Sequence, residues 1–455
     1  MIVILKWTLR SLSSLREIYC SILLVSLLVR SVNLYSLIPS FVDSFIFGTL
    51  SLAGIILALI CFVKNGFKSL NKTLCCFLVA AFVSCLVNSR YGIFSNLRLL
   101  LWLAVYFFLV YSEFLENKKI IKNFEKIILI FSLMFSVVSI ITFIFQTNYI
   151  FYIQNATRES ARMDPIRFGF IENRLFGIYY SPNTGSTLSF VAILFALFSA
   201  IKNEQKKKKL FRVSCIIANF VYIALSGSRV TILTMLVVMF LVFFAYVSRF
   251  SKFRLFLNAF IAVICCVGVY FSIQCVKFSF SCIPPFILRI FHDYNFKSLK
   301  IDLNRIDIES NQDVSNLRFK IWLSALDIFK TSWMFGVSPR NLVFYAKEVL
   351  PETYISKSEY LSIHNTHIGV FVCFGVLGVF FFYCFYLKIV FKIIKGLRRF
   401  LMGLYFINVN TEILMLVFIS VSIFCLFEPE IILANTILGA VFWLYAGEFL
   451  KEPLI

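Results

Sequence analysis

Apolar residues along this chain fall into long blocks separated by short polar segments, most of them basic. Blocks such as Ile127–Phe145 and Val230–Val247 reach the length of about 20 residues that a bilayer's hydrocarbon core requires of a helix. They are apolar on every face, without the period-two alternation of a barrel strand. In lipid such a block must be helical, because only a helix pairs all its backbone groups internally. The pattern predicts about twelve spans, near 18–38, 41–63, 73–88, 97–115, 124–146, 185–201, 210–226, 230–248, 254–276, 364–388, 411–427 and 431–450. The expected class is an all-α integral membrane protein.

Two polar stretches are too long to be simple turns, one near 147–184 and a larger one near 277–363. They divide the chain into helices 1–9 over residues 1–276, a large loop over 277–363, and helices 10–12 over 364–455. Loops of this length usually carry function or fold in their own right. An amphipathic helix is expected near 316–335, with Leu317, Ile321, Ala325 and Phe329 on one stripe and Trp322 and Leu326 beside it. Asp313 or Ser315 can cap its start and Gly336 suits its end. It is expected to lie on the membrane surface or over the bundle.

Composition agrees with the pattern: 60% of the 455 residues are apolar, more than a soluble domain can cover with polar surface. The net charge of +21 raises nucleic acid as a partner, but its distribution argues against that. With the N-terminus inside, every short inner loop is basic (Lys64, Lys68 and Lys72; Lys118, Lys119, Lys122 and Lys126; Lys202, Lys206–Lys209 and Arg212; Arg249, Lys252 and Arg254; Lys388, Lys392, Lys395, Arg398 and Arg399). The short outer loops hold only Arg90, Arg98 and Arg229. This is the positive-inside signature, and it puts both termini in the cytoplasm. No small-residue cleavage site clearly follows the first block, so a retained anchor is expected. Most of the thirteen cysteines stand within apolar blocks as small apolar side chains. No C-x-x-C pair occurs to suggest a zinc or redox site, and only Cys275 and Cys282 are placed to pair near the outer surface.

The candidate chemistry gathers at outer ends of spans. Ser226-Gly227-Ser228-Arg229 makes a tight turn before an inward-running helix, whose N-terminus offers unpaired amides and positive partial charge. Arg229 there either completes an anion site or snorkels to headgroup phosphates. Arg318 opens the amphipathic helix, where an exposed or headgroup-bound role is the simpler reading. The shorter loop sets Arg158, Arg162, Arg167 and Arg174 against Glu159, Asp164 and Glu172, nearly balanced. That balance fits a solvated face, although guanidinium groups near a membrane also suit a phosphorylated lipid.

Two of the three histidines stand in Ser362-Ile363-His364-Asn365-Thr366-His367, where an outer segment enters a span. His364 is expected in the first turn of that helix. There the dipole and nearby arginines favour a neutral imidazole able to accept a proton, although a packing or capping histidine is the alternative. A metal held by His364 and His367 is disfavoured, since only Glu359 is near in sequence. Asp43 sits in a loop too short for a metal site. Glu428 and Glu430 flank Pro429 at the last outer turn, to bind sugar hydroxyls or form a salt bridge. Arg30, inside the first span, is costly unless paired.

In order along the chain, these motifs resemble the O-antigen ligase and polysaccharide polymerase superfamily. The stretches that carry the likeness are Leu175-Phe176-Gly177-Ile178-Tyr179-Tyr180-Ser181-Pro182-Asn183-Thr184-Gly185, then Ser226-Gly227-Ser228-Arg229, then Asn316-Leu317-Arg318 through Trp322 to Trp333 and Gly336. The last is His364-Asn365-Thr366-His367 with Gly375 and Gly378. The resemblance spans roughly residues 90 to 445 and implies a polytopic bundle like that of the GT-C glycosyltransferases. It implies a transferase without metal or other cofactor, acting on undecaprenyl-diphosphate-linked glycans at the outer face of a bacterium's inner membrane. By the same resemblance Arg229 and Arg318 would bind the diphosphate and His364 would activate the acceptor hydroxyl. Apart from the resemblance, Arg167, Arg174, Asn365, His367 and Glu428 are candidates for contact with sugar or lipid. Membrane lipids, a chain-length regulator and a flippase are the expected partners, and nucleic acid is not.

Overall fold

A computed structural model describes residues 2–66, 70–113, 115, 117–153, 165–200, 206–250, 255–292, 300–304, 315, 317–358, 361–401 and 409–451. Lys68, Arg158, Glu159, Arg162, Asp164, Lys202, Lys252, Arg254, Asp313, Asn316 and Glu359 lie outside the described residues. In chain order the helices are α1 (Ile2–Arg30), α2 (Ser40–Asn65), α3 (Lys72–Val87), α4 (Phe94–Val105, prolonged by a π turn over Tyr106–Val110) and α5 (Lys118–Ile144). Then come α6 (Pro182–Ala200), α7 (Lys206–Ser226), α8 (Arg229–Phe250) and α9 (Leu255–His292), with α10 (Arg318–Thr331) and α11 (Leu342–Val349) in the large loop. The last three are α12 (Thr366–Leu401), α13 (Val409–Phe424) and α14 (Ile437–Lys451).

Each expected span overlaps one of these helices, but α1 runs from Ile2 and stops at Arg30, short of 38, and α9 continues to His292, past the expected end at 276. Among the described residues, seven helices are long and apolar enough to cross a membrane, and shorter apolar helices stand beside them. The chain is an all-α polytopic membrane protein. The ends are tied by buried polar groups, as they must be where lipid offers no hydrogen bonds. Arg16 is fully buried in α1 and donates to the carbonyls of Leu109 (2.7 Å) and Val110 (3.0 Å) and to Asn117 Oδ1 (2.8 Å). These carbonyls lie where the π turn ends and have no helical partner ahead of them. Cys275 and Cys282 are both free thiols, so the pairing considered for them is not made.

The 147–184 stretch departs locally from the helical class. It holds a three-stranded antiparallel sheet of β1 (Tyr149–Phe151), β2 (Ile166–Ile171) and β3 (Arg174–Gly177), in that order. Glu172 and Asn173 both take positive φ (55° each), the tight two-residue turn that the strand twist favours. That hairpin delivers Arg174 back toward the bundle.

The expected uniform span at 364–388 is broken. Gly375 inside α12 has φ 62° and ψ −170°. In a straight helix His367 and Tyr383 would lie about 24 Å apart along the axis, yet His367 Nδ1 and the Tyr383 hydroxyl are 2.9 Å apart. The legs on either side of Gly375 therefore fold against each other. The backbone groups freed by the break find partners in the segment after α10. Val337 N donates to Val372 O (2.9 Å), Ser338 N to Cys373 O (2.9 Å), and Val376 N to Trp333 O (2.8 Å). Two glycines permit this close approach: a Cβ on Gly336 would lie 2.4 Å from the Cys373 carbonyl carbon, and one on Gly375 would lie 2.4 Å from Met334 O.

The amphipathic helix of the large loop is α10, and it packs over α12. Its buried face is Ile321, Ser324, Ala325 and Ile328. The expected stripe is thus rotated: Leu317 is exposed in a left-handed turn before the helix, and Ile328 replaces Phe329 inside.

Short helices set the depth of one face. α13 and α14 have 16 and 15 residues, about 24 and 22 Å of rise, against a hydrocarbon core of about 30 Å. They meet at the connector 425–436. Tyr106, twelve positions along α4, donates to Asn435 Oδ1 and to Thr436 O (3.3 Å), so the connector lies about 18 Å along α4 from its start. At the opposite ends Lys451 Nζ donates to Leu115 O (3.2 Å) and Lys392 Nζ to Leu450 O (2.9 Å). The connector carrying Glu428 and Glu430 is therefore sunk below the rim of its own face.

Candidate active site

Glu428 is the hub of the site. Its residue is 9% exposed, and a buried carboxylate requires several donors to remain charged. Arg318 Nη2 donates to Oε1 at 3.0 Å, Asn183 Nδ2 donates to Oε1 at 3.1 Å, and His364 Nδ1 pairs with Oε2 at 3.0 Å. Burial alone would push the carboxyl up. The hydrogen bond and charge of His364, the charge of Arg318 and the amide of Asn183 outweigh it, and hold Glu428 below the usual carboxylate value.

His364 reaches this hub from a loop and not from the first turn of a helix, as the chain pattern suggested. It has φ 50° and precedes Thr366, where α12 begins. Asn365 is the cap: its Oδ1 accepts from Ile368 N (2.9 Å), and its Nδ2 donates to Leu426 O (2.9 Å). The Asn365 amide is thus engaged in tying α12 to the connector. Thr366 adds a second tie, with Oγ1 donating to Glu428 O (2.8 Å) and its backbone N–H to Cys425 O (2.9 Å). Trp322 Nε1 donates to Ile363 O (3.0 Å), so α10 holds the segment just before the histidine. A carboxylate only accepts hydrogen bonds, so Nδ1 of His364 carries the proton in this pair. In the neutral ring Nε2 is then the acceptor.

His367 is turned to a different neighbourhood. It bonds the Tyr383 hydroxyl and packs among the rings of Phe382, Tyr383 and Tyr386. The two histidines therefore serve separate partners.

Arg318 is the first residue of α10 and lies over the Phe427 ring, 5.9 Å from its centroid. From the hub, hydrogen bonds continue through Asn183, whose Oδ1 accepts from Arg174 Nη2 at 2.9 Å. Arg174 Nε donates in turn to Ser226 O at 3.1 Å. The Ser226–Arg229 turn is joined to Glu428 by this chain. Gly227 makes the turn with φ 62°, Ser228 Oγ lies 3.1 Å from Thr231 Oγ1, and Arg229 opens α8. Beside Glu428, Thr184 Oγ1 donates to Glu430 Oε1 (3.4 Å). Arg167 stands at the edge: it pairs with Glu172 (3.0 Å) and shares the Phe176 ring with Arg174.

The structure thus sets His364 and Arg318 on one carboxylate remote from each in sequence, and links Arg174 and the Ser226–Arg229 turn to it through Asn183. Asn183 was visible only as part of the Ser-Pro-Asn-Thr-Gly stretch, with no stated role. Its signal was an amide at the first turn of an apolar helix. The partner of His364 was missed because Glu428 lies 64 positions away. Its signal was a carboxylate beside a proline at a membrane rim. The other flagged charges are explained by pairing: Arg30 Nη2 donates to Asp43 at 3.0 Å, and the Tyr35 hydroxyl donates to the same carboxylate at 3.2 Å.

The fold and this site define a polytopic membrane protein with a polar centre recessed beneath one face. Residues 213–383, from α7 to the second leg of α12, match the family described as O-antigen ligase. The match is consistent with the superfamily of O-antigen ligases and polymerases. The family implies a glycosyltransferase-like enzyme with lipid-linked oligosaccharide substrates at the membrane. No curated protein matches the chain.

Proposed function

We propose that this chain is a polysaccharide polymerase. It joins undecaprenyl-diphosphate-linked oligosaccharide repeats into O-antigen or capsular polysaccharide at the outer face of a bacterial cytoplasmic membrane, with both termini in the cytoplasm. The observation that carries the reading is the shared carboxylate: Glu428 holds His364 and Arg318 at 3.0 Å each, one on each oxygen. A proton acceptor and a cation are thereby fixed a few ångströms apart.

The diphosphate of the donor lipid is already a good leaving group, and what develops on it is negative charge. Arg318, Arg229 and the N-terminus of α8 meet that charge without a metal. Nε2 of His364 takes the proton of the acceptor hydroxyl. The acceptor oxygen forms its bond to the anomeric carbon as the bond to the phosphate oxygen breaks on the opposite side, which inverts the centre. Glu428 orients the ring and stabilises the imidazolium that results. Undecaprenyl diphosphate departs, and a chain-length regulator and a flippase are the partners this role calls for.

A ligase that moves finished polymer onto lipid A core or a wall acceptor would use the same chemistry. A flippase is a third reading, disfavoured because the polar groups cluster at one face and no inverted repeat is visible. The test is the purified chain reconstituted with a synthetic undecaprenyl-diphosphate oligosaccharide as the sole substrate, with and without chelator. A ladder of lengthening lipid-linked products that survives chelation supports the proposal. Product formed only when a second, non-repeat acceptor is added supports the ligase, and translocation without product supports the flippase.

A further inference from the structure

Two arginines gather around one carboxylate away from the His364 site. Asp43 is buried at the start of α2, with Arg30 at 3.0 Å and Arg98 at 3.8 Å. Asp43 carries one charge against the two guanidinium groups it pairs with. The side chain of Arg98 is 41% exposed and also donates to Ser44 Oγ at 3.2 Å.

A groove of ≈ 430 Å³ starts under Arg98 and Ser44. It follows α2 past Gly48 and Leu52 to Ile55, with Leu101 of α4 as its other wall. From Ser44 to Ile55 the path is about 16 Å long, and its lining is almost entirely apolar. A cationic head above an apolar channel on the lipid-facing side of the bundle complements a phosphorylated single-chain lipid. It also lies near the reaction centre. Arg30 lies over the Phe47 ring, ring contacts continue through Trp102 to Tyr106, and Tyr106 bonds Asn435 in the connector that carries Glu428.

We infer that this groove seats the polyprenyl chain of a second lipid-linked glycan, the acceptor, with its phosphates on Arg98. The inference rests on the transfer reaction proposed above. In that reaction the donor's diphosphate leaves at Arg318, while the acceptor keeps its own diphosphate and needs other cations to hold it.

The test uses the full chain in phosphatidylcholine nanodiscs with fluorescent undecaprenyl phosphate as probe. Two lipids should bind per chain. Gly48→Phe fills the groove, where an added Cβ meets no atom within 4 Å. It should weaken one of the two at least tenfold and leave the other unchanged, and Arg98→Gln should do the same. In turnover, Gly48→Phe should raise KM for the acceptor at least tenfold with the donor KM unchanged. Wild-type binding in both variants would overturn the groove, as would equal displacement of the probe by phosphatidylglycerol. The two readings fail separately. Full turnover by His364→Ala with one lipid lost in Gly48→Phe would remove the active-site assignment and keep the groove, and the converse pair of results would do the opposite.

Discussion

Replacing Glu428 by Gln keeps the size of the side chain and removes its charge, and the geometry leaves the amide no satisfactory orientation. If the amide oxygen stays with Arg318 and Asn183, its NH2 faces Nδ1 of His364. That arrangement holds only if the ring proton moves to Nε2, the atom that should accept the proton of the acceptor hydroxyl. If the amide is flipped, its NH2 faces two donors, Arg318 and Asn183. In the first case the general base is lost, worth about 10²–10⁴ in rate. In the second, a charged hydrogen bond worth about 1.5–3 kcal/mol is lost, roughly 10- to 150-fold. The effects are alternatives and do not add, so kcat should fall by at least about tenfold. The assay is elongation of a fluorescent lipid-diphosphate oligosaccharide by protein in nanodiscs, resolved by product length, with thermal melting to establish that the variant is folded. A folded Glu428→Gln protein within threefold of wild-type kcat would refute the assignment of Glu428 as the group that orients His364.

Glu428 is held below the ordinary carboxylate value, so the stability it contributes is fully present above the unfolded-state value and is lost as pH falls through the folded one. The gap in melting temperature between wild type and Glu428→Gln should therefore not narrow from pH 7 to about 5 and should close only below the ordinary carboxylate range near 4.3. A gap that closes by pH 6 would contradict this. His367→Phe retains the ring packing and loses one hydrogen bond, about 1 kcal/mol; elongation within fivefold of wild type is expected, and a loss matching that of His364→Ala would argue against the division of roles. Gly375→Ala sets a Cβ 2.4 Å from Met334 O at φ 62°, which adds backbone strain of about 1–3 kcal/mol and should lower the melting temperature measurably in detergent; an unchanged melt would mean that the break does not depend on that approach.

Length and polarity were legible because a bilayer imposes them. A block of apolar residues as long as α5 or α8 has few alternatives in lipid, and its flanking lysines announce its ends. The break in α12 was not legible, because residues on both sides of Gly375 are continuously apolar. The turn is set by Gly336 and the 333–338 backbone, which come from another part of the chain. The hairpin before Arg174 was hidden for a different reason: its turn is Glu172-Asn173, which lacks the Gly that usually marks such turns, and its charges read as a solvated face. At the site, residue types at helix ends pointed to His364 and Arg318 separately. Their common carboxylate depended on how short α13 and α14 are, which sinks the connector to the depth of the histidine. Arg30 was flagged by cost alone, and Asp43 supplies the partner that the cost demanded.

The account turns on the imidazole of His364 taking a proton while the cations hold the donor. The most direct measurement is the steady-state elongation rate of His364→Ala against donor concentration, in the presence of chelator and with folding verified. A fall in kcat of at least about 10²-fold, with the donor KM within threefold of wild type, is predicted. Elongation at the wild-type kcat by the alanine variant would contradict it.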